Sequence, residues 1–155
     1  MGIVEMIHKY DWARLNHIQI GKYTEYLVKM EFTLFGFDVY TSEVDDHGID
    51  LVIRVDDGRY YDVQVKSIRN LNYIFFPKDK FRIRKNLIAV IAIYKNGYLP
   101  SLYIIPSKIW LKPNTLFVSR DYEGLKSKPE WGINLSVKNL QFLEGYEFEK
   151  MVTKL

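Results

Sequence analysis

An aspartate, a glutamine and a lysine recur at short spacing in the middle of this 155-residue chain, and their donor atoms suit the chemistry of a metal ion and a phosphate. The stretch Gly48-Ile49-Asp50-Leu51-Val52-Ile53 is followed, beyond a turn, by Asp62-Val63-Gln64-Val65-Lys66-Ser67. Alternate residues of a strand share a face, so Asp62, Gln64 and Lys66 point one way while Val63 and Val65 point the other. With Asp50 beside them, a carboxylate oxygen, the Gln64 amide oxygen and the Val65 backbone carbonyl would surround one hard divalent cation. Mg2+ (or Mn2+) suits such an all-oxygen set and accepts a phosphate oxygen as a further ligand. The cation would lower the pKa of a bound water and offset charge developing on the phosphate. Lys66 would orient or help deprotonate that water, or hold the phosphate by charge. A polar trio opposite valines is also what any half-buried strand looks like, so pairing geometry has to separate the two.

Directly opposed residues of an antiparallel pair lie on one face of the sheet. A two-residue turn at Asp57-Gly58 would set Asp50 opposite Val65, away from Gln64 and Lys66. A three-residue loop, Asp56 to Gly58, pairs Val55 with Arg59 and therefore Asp50 with Gln64. The second is the expectation, with Gly58 in the left-handed conformation that glycine tolerates.

The elements that must hold these residues are legible from periodicity. Leu15 to Phe35 contains no proline and places Ile20, Tyr23, Leu27, Val28, Met30, Phe32 and Leu34 around most of a helical wheel. Such a helix is expected to be packed on more than one side and to end at Gly36. Phe37 to Val44, Ile49 to Val55 and Arg59 to Ile68 read as a strand meander. Leu87 to Tyr94 is an almost unbroken apolar run, expected as a central strand covered on both faces, although a short buried helix has the same pattern. Leu102 to Ile105 reads as a further strand, Ser107 to Trp110 as a short helix, Ile133 to Leu135 as an edge strand, and Ser136 to about Leu143 as a last helix. Helix, meander, strands and helices in that order give an α/β (α+β) fold with a mixed central sheet flanked by helices.

Composition narrows the chemistry further. Forty-eight percent hydrophobic residues suffice for one core in a chain of this length, so residues 1–155 are expected to form a single domain. The absence of cysteine removes disulfides, thiolate zinc sites and cysteine nucleophiles together. Met1 to Tyr10 lacks the basic start and apolar run of a signal peptide, and no later run reaches spanning length, so a soluble cytoplasmic protein without membrane contact is expected. Net charge is +3 and the isoelectric point about 8.9, compatible with a polyanionic partner but too mild to require one. No Gly-rich phosphate loop, Gly-x-Ser-x-Gly elbow or zinc spacing is present, which gives no support for a nucleotide cofactor or serine esterase chemistry.

The order of these signals resembles a known pattern. Gly21-x-x-x-Glu25, Gly36 beyond it, a Phe-x-Val strand, Gly48-Ile49-Asp50 and a hairpin into Gln64-Val65-Lys66-Ser67 resemble the catalytic core of PD-(D/E)XK nucleases. Archaeal Holliday-junction resolvases share the helix-glutamate spacing, and Mrr-like restriction endonucleases share the Gly-x-Asp start and Gln-x-Lys ending. The match spans roughly Gly21 to Ser67. It implies a restriction-endonuclease-like core, metal-dependent cleavage of DNA, and a catalytic set of Glu25, Asp50, Gln64 and Lys66, with Glu25 holding a metal-bound water or second cation. Isoleucine stands at position 49 in place of the proline of the superfamily's name. Gln64 replaces a carboxylate by a neutral amide, which weakens metal binding. An ion pair with Lys22 or Lys29 is the plainer role for Glu25.

Lys78, Lys80, Arg82 and Arg84 alternate and would form one basic face if extended, able to follow a DNA backbone through phosphate contacts or simply to guard a sheet edge by charge. Asp45, Asp46 and His47 read as a polar turn ahead of Asp50, and His8 and His17 as surface positions. Two functions follow. The first is a Mg2+-dependent endodeoxyribonuclease hydrolysing phosphodiesters with metal-activated water. The alternative is a catalytically inactive nuclease-fold module that binds DNA or a partner. A junction resolvase would need two sites in fixed relation, hence a homodimer; no interface is legible in the sequence.

Overall fold

A capping box opens the first helix. The Asn16 side chain accepts the Gln19 N–H and the Gln19 side chain accepts the Asn16 N–H, each at 2.9 Å. Helix α1, His17–Leu34, follows and ends at Phe35, after which Gly36 takes a positive φ of 89°. The structure is a computed structural model describing residues 9–44 and 47–155, so His8, Asp45 and Asp46 lie outside the described residues. One side of α1 is buried, through Ile20, Thr24, Val28 and Phe32. Ile18, Tyr26, Met30 and Leu34 are exposed, so the helix is not packed on more than one side as its composition suggested. The sheet supplies one wall and nothing described covers the other.

The central sheet has five strands: β1 (Asp38–Tyr40), β2 (Leu51–Asp56), β3 (Arg59–Ile68), β5 (Leu87–Ile93) and β6 (Ser101–Pro106), in the order β1-β2-β3-β5-β6. Only β3 and β5 are parallel, so the sheet is mixed and begins with the expected meander. The unbroken apolar run of β5 has a direct cause. Ile88 and Val90 pack toward α1 and the C-terminal helix, while Leu87, Ala89 and Ile91 pack toward the opposite layer. Full burial of each large side chain there contributes roughly 1.5–3 kcal/mol.

That opposite layer is a second, three-stranded antiparallel sheet, ordered β4 (Tyr73–Pro77), β8 (Glu130–Asn134), β7 (Phe117–Arg120). It encloses Phe76, Phe81, Trp110, Phe117 and Ile133 against the central sheet, and the Trp110 indole N–H donates to the Gly132 carbonyl at 2.9 Å. The segment expected as an edge strand near Ile133 is β8, the middle strand of this sheet. Neither β4 nor β7 was anticipated from the sequence. The short helix expected from Ser107 to Trp110 is present as a 3-10 helix at Ser107–Leu111. The Ser136 hydroxyl does accept the Asn139 N–H, but only a turn follows; the helical residues are a 3-10 segment at Leu140–Tyr146 and a short helix α2 at Phe148–Val152. No helix among the described residues is long and apolar enough to cross a membrane.

Candidate active site

The β2–β3 hairpin reaches the expected register by an unexpected route. Asp56 pairs with Arg59 across a two-residue turn, and a bulge between Arg54 and Asp56 then shifts the ladder by one, so that Arg54 faces Tyr60, Val52 faces Asp62 and Leu51 faces Val63. Continued by one residue, this register aligns Asp50 with Gln64. The three-residue loop is therefore corrected to a two-residue turn plus a bulge. Gly58 does not adopt positive φ. The turn is held by Asp56 instead: its Oδ1 accepts the Gly58 and Arg59 N–H groups, each at 3.0 Å, and its Oδ2 accepts the Arg59 Nε–H at 2.9 Å. The Arg59 side chain, then the Gly58 N–H, hold the Asp56 carboxyl below its ordinary value.

Asp50 stands just ahead of β2, where the strands part. Its N–H donates to the Val63 carbonyl at 2.9 Å, and its Oδ2 accepts the Val65 N–H at 2.7 Å. Asp62 N–H bonds to Asn86 on the β5 side. In a strand successive backbone groups alternate sides, so Gln64 also turns its backbone toward β5 while Val63 and Val65 turn theirs toward the start of β2. The Val65 carbonyl thus opens onto the gap beside Asp50, where a cation ligand was expected.

Gln64 pairs with Ala89 and Lys66 with Ile91 in the parallel β3–β5 ladder, which puts both side chains on the face toward the second sheet. Gln64 is 8% exposed, and its buried Oε1 has no hydrogen-bond partner among the described residues. An orphaned buried amide oxygen costs on the order of 1–3 kcal/mol, so its retention calls for an explanation. It fits a ligand for a hard cation. The Lys66 ammonium lies 5.7 Å from the centroid of the Phe76 ring, on the same face.

Gly48 closes this side of the site. Its φ is 77°, and a Cβ there would sit 3.1 Å from the Lys80 carbonyl oxygen and 3.8 Å from Gln64 Nε2. Only glycine allows the loop to pass so close to Lys80. His47 and Ile49, on either side of it, line a cleft of about 390 Å3 together with Asp79, Lys80, Arg82 and Arg84. Three of the four expected basic residues therefore meet beside Gln64, although their segment is a turn and irregular chain where an extended strand was expected. Lys78 is held elsewhere: its ammonium sits 3.9 Å over the Trp131 ring and bonds Ser119 Oγ at 2.8 Å and Asp121 at 2.6 Å.

Glu25 is carried by α1, which covers the other face of the sheet. It is partly buried, and its carboxylate pairs with Lys22 at 3.4 Å, the plainer of the two roles weighed from sequence. His17 starts α1 and is exposed. Among the described residues no group of three or more His, Cys, Asp or Glu side chains is arranged to hold a metal. The oxygen donors on offer are one carboxylate, one amide and one backbone carbonyl. Two residues at the site escaped the sequence reading. Asp62 binds Arg84, and its signal was its place on the Gln64 face; Ser107 holds the Arg84 backbone across 23 residues and left no signal at all.

No protein-family model matches the sequence, and no curated protein matches it. Solved structures do resemble it. A bacterial homing endonuclease superposes with a TM-score of 0.52 at 18% identity, covering 90% of this chain and 93% of that one. Hjc, a Holliday junction resolvase from the archaeal hyperthermophile Archaeoglobus fulgidus, superposes with a TM-score of 0.52 at 14% identity, covering 87% and 97%. With its mixed five-stranded sheet between a helical layer and a second sheet, the chain shares the restriction-endonuclease-like fold of these two solved structures.

Proposed function

We propose that this protein is a metal-dependent endodeoxyribonuclease, a single cytoplasmic domain that hydrolyses DNA phosphodiester bonds. The observation that carries the reading is the buried Gln64 Oε1, without a hydrogen-bond partner among the described residues, on the Lys66 face and beside the point where Asp50 meets Val65. Two solved proteins of the same fold support it, one titled a homing endonuclease and the other a Holliday junction resolvase. Asp50, Gln64 and the Val65 carbonyl would hold Mg2+ or Mn2+. When bound, the cation supplies Lewis acidity toward water and the scissile phosphate. As an ammonium, Lys66 would orient the attacking water or hold the negatively charged phosphate by its charge; as the neutral amine, it would take up the water's proton. Lys80, Arg82 and Arg84 receive the flanking DNA backbone in the cleft by phosphate contacts, which position without reading sequence. The deciding experiment is cleavage of supercoiled, linear and branched DNA with Mg2+ or Mn2+, comparing the parent with Lys66→Ala and Asp50→Ala. Cleavage by the parent and its loss in both variants is expected.

One observation favours a second reading. With a neutral Gln64, a Glu25 paired to Lys22 and no three-acid cluster among the described residues, the site holds little negative charge, as a DNA-binding module without cleavage would. Calorimetric titration with Mn2+ separates the two. Binding that disappears in Asp50→Ala supports the nuclease, and no binding by the parent supports the module.

A further inference from the structure

Arg84 lines the basic cleft with both its side chain and its backbone fixed. Its Nη2 donates to Asp62 Oδ2 at 2.6 Å, and its Nη1 donates to the Arg82 carbonyl at 2.9 Å. Its N–H donates to Ser107 Oγ at 3.0 Å, while its carbonyl accepts the Ser107 hydroxyl at 2.7 Å. Ser107 is completely buried where β6 ends. Asp62 is 15% exposed and stands on the strand face of Gln64, two residues away, whereas Arg84 keeps 37% of its side chain exposed. A guanidinium carries five N–H donors in a rigid fork. Two are committed to Asp62 and Arg82, which set the plane of the fork, and the remainder are available to an anion in the cleft.

We propose that Asp62 and Ser107 are positioning residues that hold Arg84 as a preformed grip for a DNA backbone phosphate entering beside Gln64. The proposal rests on the DNA-cleaving reading above and adds to it the groups that orient the grip. A flexible arginine loses rotamer freedom when it binds phosphate; here that freedom is already lost in the free protein. The carboxylate itself would repel phosphate. Asp62 therefore acts in two opposed ways, by orienting Arg84 and by cancelling its charge, and the sign of its removal tells which prevails.

The test is equilibrium binding of a short fluorescently labelled DNA duplex by anisotropy, with a chelator present so that neither metal nor cleavage enters. Arg84→Ala is expected to weaken binding about tenfold, and Arg84→Lys to recover only part of it because an ammonium lacks the fork. Asp62→Ala adds one positive charge to the cleft, yet is expected to weaken binding roughly threefold to tenfold. In Asp62→Ala/Arg84→Ala the loss should not exceed that of Arg84→Ala alone, since Asp62 acts only through Arg84. Asp62→Asn, which keeps an acceptor, should fall between the parent and Asp62→Ala. Ser107→Ala should weaken binding without changing charge, and circular dichroism shows whether it remains folded. Binding by Asp62→Ala as tight as the parent's or tighter, with Arg84→Ala weakened, overturns the positioning role and leaves the DNA-cleaving reading intact. A parent that does not bind the duplex overturns both.

Discussion

The Asp50 Oδ2 atom accepts the Val65 backbone N–H at 2.7 Å, which ties the carboxylate expected to meet a cation to the strand that carries Gln64 and Lys66. A single short bond therefore does two things. It holds the end of the loop from Gly48 against β3, and it fixes one oxygen of the carboxylate before any ligand arrives.

Those two roles separate on mutation. Asp50→Asn retains an oxygen acceptor for the Val65 N–H, so without metal its stability should stay within about 0.5 kcal/mol of the parent. Asp50→Ala leaves that partly buried N–H without its partner and should lose about 1–2 kcal/mol, read from urea unfolding with a chelator present. Both variants should lose Mn2+ binding by calorimetry. Retained binding in Asp50→Asn would remove Asp50 from the ligand set.

Gln64→Glu restores a charge at a position that is 8% exposed. Metal binding should tighten by about tenfold or more, because a carboxylate oxygen replaces a neutral amide oxygen beside a dication. The metal-free variant should be less stable than the parent at pH 8, since the introduced group is a buried carboxylate whose pKa burial raises. The sign follows from linkage: with the folded pKa above the unfolded one, the deficit opens as pH rises from about 4 and closes again below it. Urea midpoints at pH 4 and pH 8, each with and without Mn2+, check both halves.

Two glycines are held by different neighbours and should respond differently. At Gly48 an added Cβ meets the Lys80 carbonyl at 3.1 Å and the backbone stands at φ 77°, so Gly48→Ala should cost about 1–3 kcal/mol and disturb the cleft. At Gly132 the added Cβ would collide with the Tyr73 ring and its hydroxyl. That ring lies across the glycine with the Arg120 guanidinium 4.1 Å above its centroid. A tyrosine ring can swing away where a backbone carbonyl cannot, so Gly132→Ala should cost about 1–2 kcal/mol, chiefly through lost ring burial. In a Tyr73→Ala background the same change should cost almost nothing; a full penalty there would show that the strain lies in the backbone.

What could be read in the sequence was whatever depended on local spacing. The 3.6-residue pattern and Gly36 bounded α1 to within two residues at either end, and the apolar run at Leu87 marked β5, because burial on both faces leaves no polar position in such a strand. The ladder register was anticipated while its cause was not. A two-residue turn with a bulge and a three-residue loop give the same alignment of Asp50 with Gln64, and alternation cannot tell them apart. The second sheet went unseen because β4 pairs with β8, more than fifty residues along the chain, and no local spacing announces that ladder. The Arg84–Ser107 clamp was invisible for the same reason. The basic segment was half legible: its charges were plain, but the turn that sends Lys78 to Trp131 and Asp121 is a tertiary outcome.

Alkaline pH should weaken the fold through its buried tyrosines. Tyr73, Tyr94, Tyr103 and Tyr146 are all raised above the ordinary 10.0, burial being the largest cause in each, with Glu130 adding to it at Tyr73 and Glu147 at Tyr103. A raised folded pKa means the stability these groups contribute is fully present below about pH 10 and is lost as pH rises beyond it. Urea midpoints should therefore fall from pH 9 to pH 11. Tyr94→Phe removes one of the four and the hydroxyl pairing with Thr24 at 2.6 Å, so it should lower stability at pH 8 while flattening the alkaline decline. An unchanged decline would assign it to other groups.

Glu25 offers the sharpest separation between a structural and a chemical role. Its pair with Lys22 spans 3.4 Å between side chains that are 28% and 60% exposed, and pairs this exposed contribute about 0–0.5 kcal/mol. Glu25→Gln and Lys22→Ala should consequently leave the urea midpoint almost unmoved. If Glu25 serves only that pair, cleavage should be equally indifferent to both changes. If it contributes a ligand or holds a water from the α1 side, Glu25→Gln should lower the cleavage rate by at least about a hundredfold while Lys22→Ala does not. The first outcome is the one expected, because α1 covers the sheet face opposite Gln64 and Lys66 and the Glu25 carboxylate already pairs with Lys22. Equal rates for parent, Glu25→Gln and Lys22→Ala would remove Glu25 from the active site and confine its function to the surface of α1.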